Sequence, residues 1–172
     1  MNTDQQQHTT HTLVTRLAVL CGAGAVACVL DQVTKLWVRT SISEGTAVPF
    51  IPGVMELFHV SNTGAAFSVG SGNALFFVAL TVVVIAALVS FVVREKNLPL
   101  PLIALLGGVA GGGIGNAIDR VLYGQVTDFF ATTFVNFAVF NVADIFVTCG
   151  ILIAFVYWII WDKKQQQGSG NE

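Results

Sequence analysis

Charged residues are scarce in this sequence of 172 residues, since Asp, Glu, Lys and Arg together make up only 10% of it. Hydrophobic residues make up 54%, a fraction too high for a chain of this size that folds around one water-soluble core. The 8 basic residues include a single adjacent pair, Lys163 and Lys164, and so provide no basic surface for a nucleic acid. The composition therefore predicts a membrane protein surrounded by lipid and excludes nucleic acid as a partner.

Cysteine is also rare, with three residues that all lie inside apolar runs: Cys21, Cys28 and Cys149. A cysteine in such a setting usually behaves as a small buried hydrophobic residue. We therefore assign no chemistry to these thiols.

Four stretches of the sequence are apolar and long enough to cross a membrane as helices, which takes about 20 residues for a hydrocarbon core of about 30 Å. They span residues 13–30, 74–93, 98–118 and 141–161. The expected fold is an all-α integral membrane protein with four transmembrane helices in a single membrane domain, 1–172. The polar ends, 1–12 and 165–172, are predicted to be flexible tails.

Basic residues flank the predicted spans unequally. Five lie on the side of the termini and three on the opposite side: Arg16, Arg94, Lys96, Lys163 and Lys164 against Lys35, Arg39 and Arg120. Because basic residues favour cytoplasmic loops, both termini are predicted to be cytoplasmic, with the longer connections at the outer face. In the first of these connections, 46–69 has short β-favouring runs among Pro and Gly residues, which predicts a small β-containing extracytoplasmic segment between helices 1 and 2.

The third predicted span contains six glycines between positions 107 and 115. Small residues four apart let helices approach closely in lipid. We interpret these glycines as a helix-packing surface rather than a phosphate-binding loop, because they lie within a span and do not follow a strand.

Polar residues near the span ends are candidates for pairing or function, since such groups are costly at membrane depth. Asp31 and Lys35 are four residues apart and can pair on one helix face, which favours a structural salt bridge over catalysis. Asn62 precedes Gly64 in a turn, where the amide can bond its own backbone or a substrate carbonyl.

The end of the third span carries an amide, an acid and a guanidinium, at Asn116, Asp119 and Arg120. Taken alone, this cluster predicts a helix end with an Asp-Arg pair. The guanidinium of Arg120 can also hold a carboxylate by a two-pronged hydrogen bond.

Two further acids, Asp128 and Asp144, are each flanked by large apolar residues. Asn141 is a suitable N-cap for the fourth span, which places Asp144 in the first turn, where the helix dipole favours a charged carboxylate. Burial and repulsion from a nearby acid would instead push Asp128 toward its protonated form. Two acids with separated pKa values suit acid-base hydrolysis of a peptide bond, which predicts an intramembrane aspartyl protease.

Taken together, these clusters resemble the prolipoprotein signal peptidase family, also called signal peptidase II, over residues 13–161. The resemblance rests on five short motifs in this order: Asp-Gln-x-Thr-Lys, Asn-x-Gly-x-Ala-Phe, Gly-Asn-x-x-Asp-Arg, a Val-x-Asp-Phe-type segment and Asn-x-Ala-Asp. It implies an aspartic endopeptidase that removes the signal peptide from diacylglyceryl-modified bacterial prolipoproteins, just before the lipidated Cys. It also implies no metal or organic cofactor.

The same resemblance assigns roles to individual residues. Asp128 and Asp144 are implied to be catalytic, and six others to support the site or contact substrate: Asn62, Gly64, Asn116, Arg120, Asn141 and Ala143. Asp31, Lys35 and Asp119 match positions tied to folding or stability. One departure is Thr127, where an aliphatic residue is common, and its hydroxyl could add a hydrogen bond.

The implied setting is the bacterial cytoplasmic membrane, where a monomer works among membrane lipids with its active site near the outer face. The alternative function is a small proton-coupled transporter, because buried acids also build proton relays. A relay distributes acids through the bilayer centre, whereas the middles of the second and fourth spans have no ionisable residue. The peptidase interpretation is therefore preferred.

Overall fold

The computed structural model describes residues 11–64 and 72–169 and contains four helices and three strands. In chain order they are α1 (Leu13–Ser41), β1 (Ala47–Ile51), β2 (Met55–Asn62), α2 (Ala74–Arg94), α3 (Leu100–Tyr123), β3 (Val126–Thr132) and α4 (Val142–Ser169). All four helices are long and apolar enough to cross a membrane. The predicted fold class is confirmed.

Three helices, α1, α3 and α4, extend more than one residue beyond the predicted ends of their spans. Helix α1 was expected to end at residue 30 and continues to Ser41, because its charged residues Asp31 and Lys35 pack inward instead of marking the membrane edge. Helix α3 continues to Tyr123, where Gly124 ends it with a left-handed backbone (φ 73°), a conformation that favours glycine.

The predicted tails are shorter than expected. Thr12 caps α1, since its side chain accepts a hydrogen bond from the backbone N–H of Thr15. Helix α4 continues to Ser169, so 165–169 is helical rather than a tail. The remaining tail residues, 1–10 and 170–172, lie outside the described residues.

Glycines of α3 bring two other helices into close contact with it. A methyl group on Gly107 or Gly111 would overlap the backbone of α1, and one on Gly112 would overlap the backbone carbonyl of Ala143 at the start of α4. Because backbone atoms cannot move aside as a flexible side chain can, these positions admit glycine alone at the present helix spacing. The structure agrees with the interpretation of the glycines as a packing surface.

The strands form one antiparallel sheet in the order β1-β2-β3. Strands β1 and β2 lie in the predicted segment between helices 1 and 2, of which residues 65–69 are outside the described chain. Strand β3 was not predicted and comes from the connection between α3 and α4. Its pairing with β2 places Val60 opposite Asp128, so the sheet carries one of the two candidate acids.

The sheet is anchored on the last turns of α1. Val38 and Ile42 pack there with Leu57 and Phe129 in a buried apolar cluster. A second apolar cluster fills the opposite end of the bundle, where α2 meets α3, and contains Leu20, Val92, Leu98, Leu102, Ile103 and Ala154. Between these clusters the outward faces of the spans are apolar and exposed, Val82 and Ile153 among them, as expected of helices surrounded by lipid.

Candidate active site

A cavity of about 320 Å³ opens where the sheet meets the ends of α3 and α4. Six of the predicted site residues line it: Asn62, Gly64, Asn116, Arg120, Asp128 and Asp144. The rest of the wall is largely apolar and includes Phe137, Ala138, Val139, Phe140 and Ile145. The structure therefore brings both candidate acids and four of their predicted supporting residues to one cavity.

Asp128, on β3, is buried and held by two side-chain amides. One carboxylate oxygen, Oδ1, accepts from Nδ2 of Asn141 at 2.7 Å, and the other, Oδ2, accepts from Nδ2 of Asn62 at 2.9 Å. Burial raises the pKa of Asp128 to about 6, with a further contribution from the negative charge of Asp144, while the two amide bonds act in the opposite direction. Both the direction and its causes match the prediction from the sequence.

Asp144, in the first turn of α4, forms a reciprocal cap with Asn141. The backbone N–H of Asp144 donates to Oδ1 of Asn141 at 3.0 Å, and the backbone N–H of Asn141 donates to Oδ2 of Asp144 at 3.0 Å. This is the arrangement of a capping box, in which each side chain satisfies the other residue's backbone. The predicted N-cap is present, and it links the two acids because Asn141 also bonds Asp128.

Three asparagine amides face the acids. The orientation of each amide is fixed by a neighbouring group that can only donate a hydrogen bond. The carbonyl oxygen of Asn62 accepts from the backbone N–H of Gly64 at 2.9 Å. That of Asn141 accepts from Asp144, and that of Asn116 accepts from the ammonium group of Lys35 at 2.7 Å. Since these partners can only donate, each amide must turn its NH₂ group toward a carboxylate. For Asn116 the acceptor is Oδ1 of Asp144, at 2.8 Å.

A buried ionic cluster lies behind the cavity wall. The predicted pair of Asp31 and Lys35 is present, at 2.8 Å, and both side chains are fully buried. Asp119 is 3.6 Å from the same ammonium and equally buried. Lys35 therefore lies between an acid of α1 and an acid of α3.

The predicted pairing of Arg120 is wrong. Its guanidinium donates to the backbone carbonyls of Gly64 at 2.9 Å and Asn116 at 3.4 Å, and lies 4.8 Å from the ring centroid of Phe77. Asp119 pairs with Arg39 instead, at 3.3 Å. Adjacent residues of a helix point in different directions, so Asp119 faces α1 while Arg120 faces the cavity.

Two further members of the cluster, Gln32 and Arg39, were not predicted as site residues from the sequence. Nε2 of Gln32 donates to Asp31, to Asp119 and to the backbone carbonyl of Gly115. Arg39 donates to Asp119 and, at 3.0 Å, to the hydroxyl of Thr127. The signal for Arg39 was its spacing, since it follows Lys35 by four residues and shares its helix face.

The cavity has the parts of an acid-base site, with two carboxyl groups linked through shared amides and a mostly apolar wall. Within residues 11–64 and 72–169, no group of three or more His, Cys, Asp or Glu side chains is placed to hold a metal ion. One acid has a raised pKa and the other lies at a helix N-terminus, so the pair can present a proton donor and an ionised base to the same substrate.

Comparison with protein families identifies one that covers most of the chain. Residues 23–160 match the sequence model described as signal peptidase (SPase) II. The lipoprotein signal peptidase of Streptococcus thermophilus is 43% identical over 140 residues, which are 81% of this chain and 89% of that protein. The lipoprotein signal peptidase of Enterococcus faecalis is 37% identical over 142 residues, 83% of this chain and 88% of that protein.

Two solved structures, each described as a bacterial membrane enzyme, have the same fold. The first, determined by the in meso method at 2.3 Å resolution, has a TM-score of 0.79 and 29% identity, and the match covers 93% of this chain and 96% of that one. The second, at 1.9 Å, has a TM-score of 0.75 and 29% identity over 89% and 97% of the two chains. The chain is thus similar over most of its length to bacterial multi-pass membrane enzymes.

Proposed function

Because this chain belongs to the signal peptidase II family, we propose that Asp128 and Asp144 are the catalytic acids of its peptidase activity. The chain is a lipoprotein signal peptidase, an aspartic peptidase with four membrane-spanning helices. The alternative of a proton-coupled transporter is therefore set aside. What supports the catalytic pair is a single observation: both carboxyl groups line one cavity and share Asn141 as a hydrogen-bond partner.

In the proposed mechanism, Asp144 is the base and Asp128 the acid. The carboxylate of Asp144 removes a proton from water, and the water oxygen bonds to the carbonyl carbon of the scissile peptide. Asp128 transfers its proton to the carbonyl oxygen, which gives a neutral tetrahedral intermediate. When the carbon–nitrogen bond breaks, the amine takes the proton held by Asp144, and Asp128 recovers its own as the carbonyl reforms.

The other cavity residues are proposed to hold the substrate and the acids. Asn62 and Asn141 support Asp128, and Asn116 supports Asp144. Arg120 holds the carbonyl of Gly64, so the backbone beside Asn62 is fixed against α3. Ala143 supports Asp144 from the preceding position through its backbone N–H, which donates to Asp31.

The proposed substrate is a bacterial prolipoprotein with a diacylglyceryl group on the Cys that follows the scissile bond. A cavity wall that is apolar except for its acids, amides and Arg120 suits a peptide whose acyl chains stay in lipid while its scissile bond reaches the two acids. A monomer is the proposed working unit, as the family resemblance implies.

The proposed setting is the bacterial cytoplasmic membrane, with both termini in the cytoplasm and the site toward the outer face. The three basic residues counted against this orientation are bonded inside the protein: Lys35, Arg39 and Arg120. They therefore do not act as loop charges. Arg16 is also buried and bonded inside the protein, which leaves four exposed basic residues on the side of the termini and none on the other, a bias toward cytoplasmic termini. The orientation can be tested by labelling single-cysteine variants on the outer face of intact cells and on the inner face of opened cells.

The test of the catalytic pair is cleavage of a diacylglyceryl-modified prolipoprotein peptide by the purified protein in nanodiscs. We expect Asp128→Asn and Asp144→Asn each to lower kcat by at least about 10⁴-fold. Substrate binding and the melting temperature should remain close to wild type. Glu44→Gln is the matched control, because it removes an exposed carboxylate outside the cavity, and it should cleave normally. Near-normal turnover by either asparagine variant would refute the pair.

A further inference from the structure

Lys35 is a fully buried cation with three polar neighbours from two helices. Its ammonium nitrogen is 2.8 Å from Oδ2 of Asp31, 2.7 Å from Oδ1 of Asn116 and 3.6 Å from Oδ2 of Asp119. An ammonium has three protons to donate, and three oxygens surround this one. The ammonium group of Lys35 therefore connects α1 to α3 through its contacts with Asn116 and Asp119.

The two acids beside Lys35 each hold the backbone next to a catalytic acid. Oδ1 of Asp31 accepts from the backbone N–H of Ala143 at 2.9 Å, one residue before Asp144. Oδ2 of Asp119 accepts from the backbone N–H of Thr127 at 3.0 Å, one residue before Asp128. Lys35 thus lies between the two carboxylates that bond the backbone of α4 and β3, the elements that carry the catalytic acids.

The third neighbour, Asn116, links Lys35 to both carboxyl groups through hydrogen bonds. Its carbonyl oxygen accepts from Lys35 and also, at 3.1 Å, from Nδ2 of Asn141, which in turn donates to Asp128. Its NH₂ group donates to Asp144. Without the ammonium, Asn141 would be the remaining donor that orients the Asn116 carbonyl oxygen, so the NH₂ group of Asn116 would be held less firmly against the carboxylate of Asp144.

We propose that Lys35 is a positioning residue for peptide cleavage: it fixes the Asn116 amide and, with Asp31 and Asp119, sets the placement of both catalytic acids. This inference rests on the proposed catalytic pair and assigns Lys35 more than the structural role implied by family resemblance. Lys35 acts through other groups, since it is not among the residues that line the cavity.

The charges around Lys35 determine which variants can test this role. Asp31 and Asp119 are the facing anions, and Arg39 is a second cation on Asp119, so the four charges sum to zero. Lys35→Met keeps the length of the side chain but leaves a net negative charge in a buried cluster, which is destabilising in itself. The double variant Lys35→Met/Asp31→Asn restores neutrality, and its amide oxygen still accepts from the N–H of Ala143.

The experiment compares melting temperature, kcat and KM for the single and double variants with the lipidated peptide. We expect the double variant to regain most of the melting temperature that the single variant loses. Its kcat should stay about 100-fold below wild type, the order of loss that follows from misplaced catalytic groups, while KM changes by less than about threefold. If kcat returns together with the melting temperature, Lys35 serves charge balance alone and the proposal is wrong.

The pH profile gives a second readout that a purely structural role would not move. The charged groups facing Asp128 are Asp144 from α4, Arg120 from α3 and Lys35 from α1. Removing the positive charge of Lys35 alone favours protonated Asp128, so the alkaline limb of the kcat profile should move to higher pH in Lys35→Met. The limb should move less in the double variant, because loss of the Asp31 anion acts in the opposite direction. An unmoved limb would contradict the proposed link.

Arg16→Met is the matched control, because it removes an equally buried cation from the opposite end of the same helix. It should lower the melting temperature and leave kcat unchanged. If Asp128→Asn or Asp144→Asn stays active, the catalytic pair fails and this inference with it. If both are inactive while Lys35→Met/Asp31→Asn has wild-type kcat, only the role of Lys35 is refuted. Failure of both Lys35 variants to fold would also reject it in favour of a folding role.

Discussion

Each end of the helix bundle contains a buried cation of α1, and the two are held in different ways. At the end near the sheet, Lys35 lies among two carboxylates and an amide oxygen. At the opposite end, Arg16 donates to the backbone carbonyl of Glu95, which caps α2, and its Nε has no hydrogen-bond partner among the described residues. The apolar cluster at this end contains Leu20, Val92 and Leu102.

The two ends differ in what their contacts do: apolar contacts pack the helices at the far end, whereas hydrogen bonds position polar groups at the site end. Apolar contacts make up most of the packing at the far end, where the Arg16 side chain donates one hydrogen bond to a backbone carbonyl. Desolvating several charges, as at the site end, often costs as much as their mutual attraction returns, so a buried ionic cluster is a poor means of stabilisation alone. What such a cluster does provide is direction, since each hydrogen bond fixes one atom relative to another. The polar cluster is located where two acids must be held at defined positions.

The largest effect that would sharpen this contrast is expected from Asp119→Leu. The substitution removes the acceptor for the backbone N–H of Thr127 and an anion shared by Lys35 and Arg39. Leaving buried charges unpaired costs about 3–5 kcal/mol, so we expect a large drop in melting temperature together with loss of cleavage. Asp119→Asn, which keeps the acceptor, should retain more of both. Equal melting temperatures for Asp119→Leu and wild type would remove the distinction between the two ends.

A substitution at the far end should separate stability from activity. Leu102 is 2% exposed, and Leu102→Ala would leave a cavity in the apolar cluster at a cost of about 3 kcal/mol. Because the residue contacts no part of the site, kcat per folded molecule should match that of wild type. Thermal unfolding and active-fraction-corrected turnover measure the two quantities. A fall in kcat similar to that of the Lys35 double variant would show that the ends are coupled.

The sequence predicts the local parts of this arrangement. The pair of Asp31 and Lys35 follows from helical spacing, and the cap of Asn141 on Asp144 follows from residue types three positions apart. Both involve neighbours on one helix, so composition and periodicity are sufficient to find them. The four spans are predicted for the same reason.

The long-range parts could not be predicted from local pattern. Strand β3 pairs with β2, and the bond between Asn62 and Asp128 joins residues 66 positions apart. Seven residues with mostly buried side chains show no alternation that would mark an exposed strand. The choice of Arg39 over Arg120 as the partner of Asp119 likewise depends on how α1 packs on α3, which no spacing within α3 determines.

The smallest predicted effect concerns pH and again distinguishes the site end from the far end. The pKa of Asp128 is about 6 against an ordinary 3.8, so the folded protein binds a proton more tightly than the unfolded chain does. Stability should therefore fall as pH rises from about 4 to about 6, by about 2 kcal/mol across that window, and level off at about pH 7.

Asp128→Asn isolates this contribution, because an amide of the same shape cannot ionise. Its unfolding free energy should lack the decline between about pH 4 and 6, even though cleavage is lost. Leu102→Ala should keep the wild-type decline, displaced downward by a constant amount, since the far end does not contact Asp128. Chemical unfolding at several pH values checks both curves. If Asp128→Asn retained the decline, another group would have to bind the proton, and Asp128 could not be the acid that donates it to the peptide carbonyl.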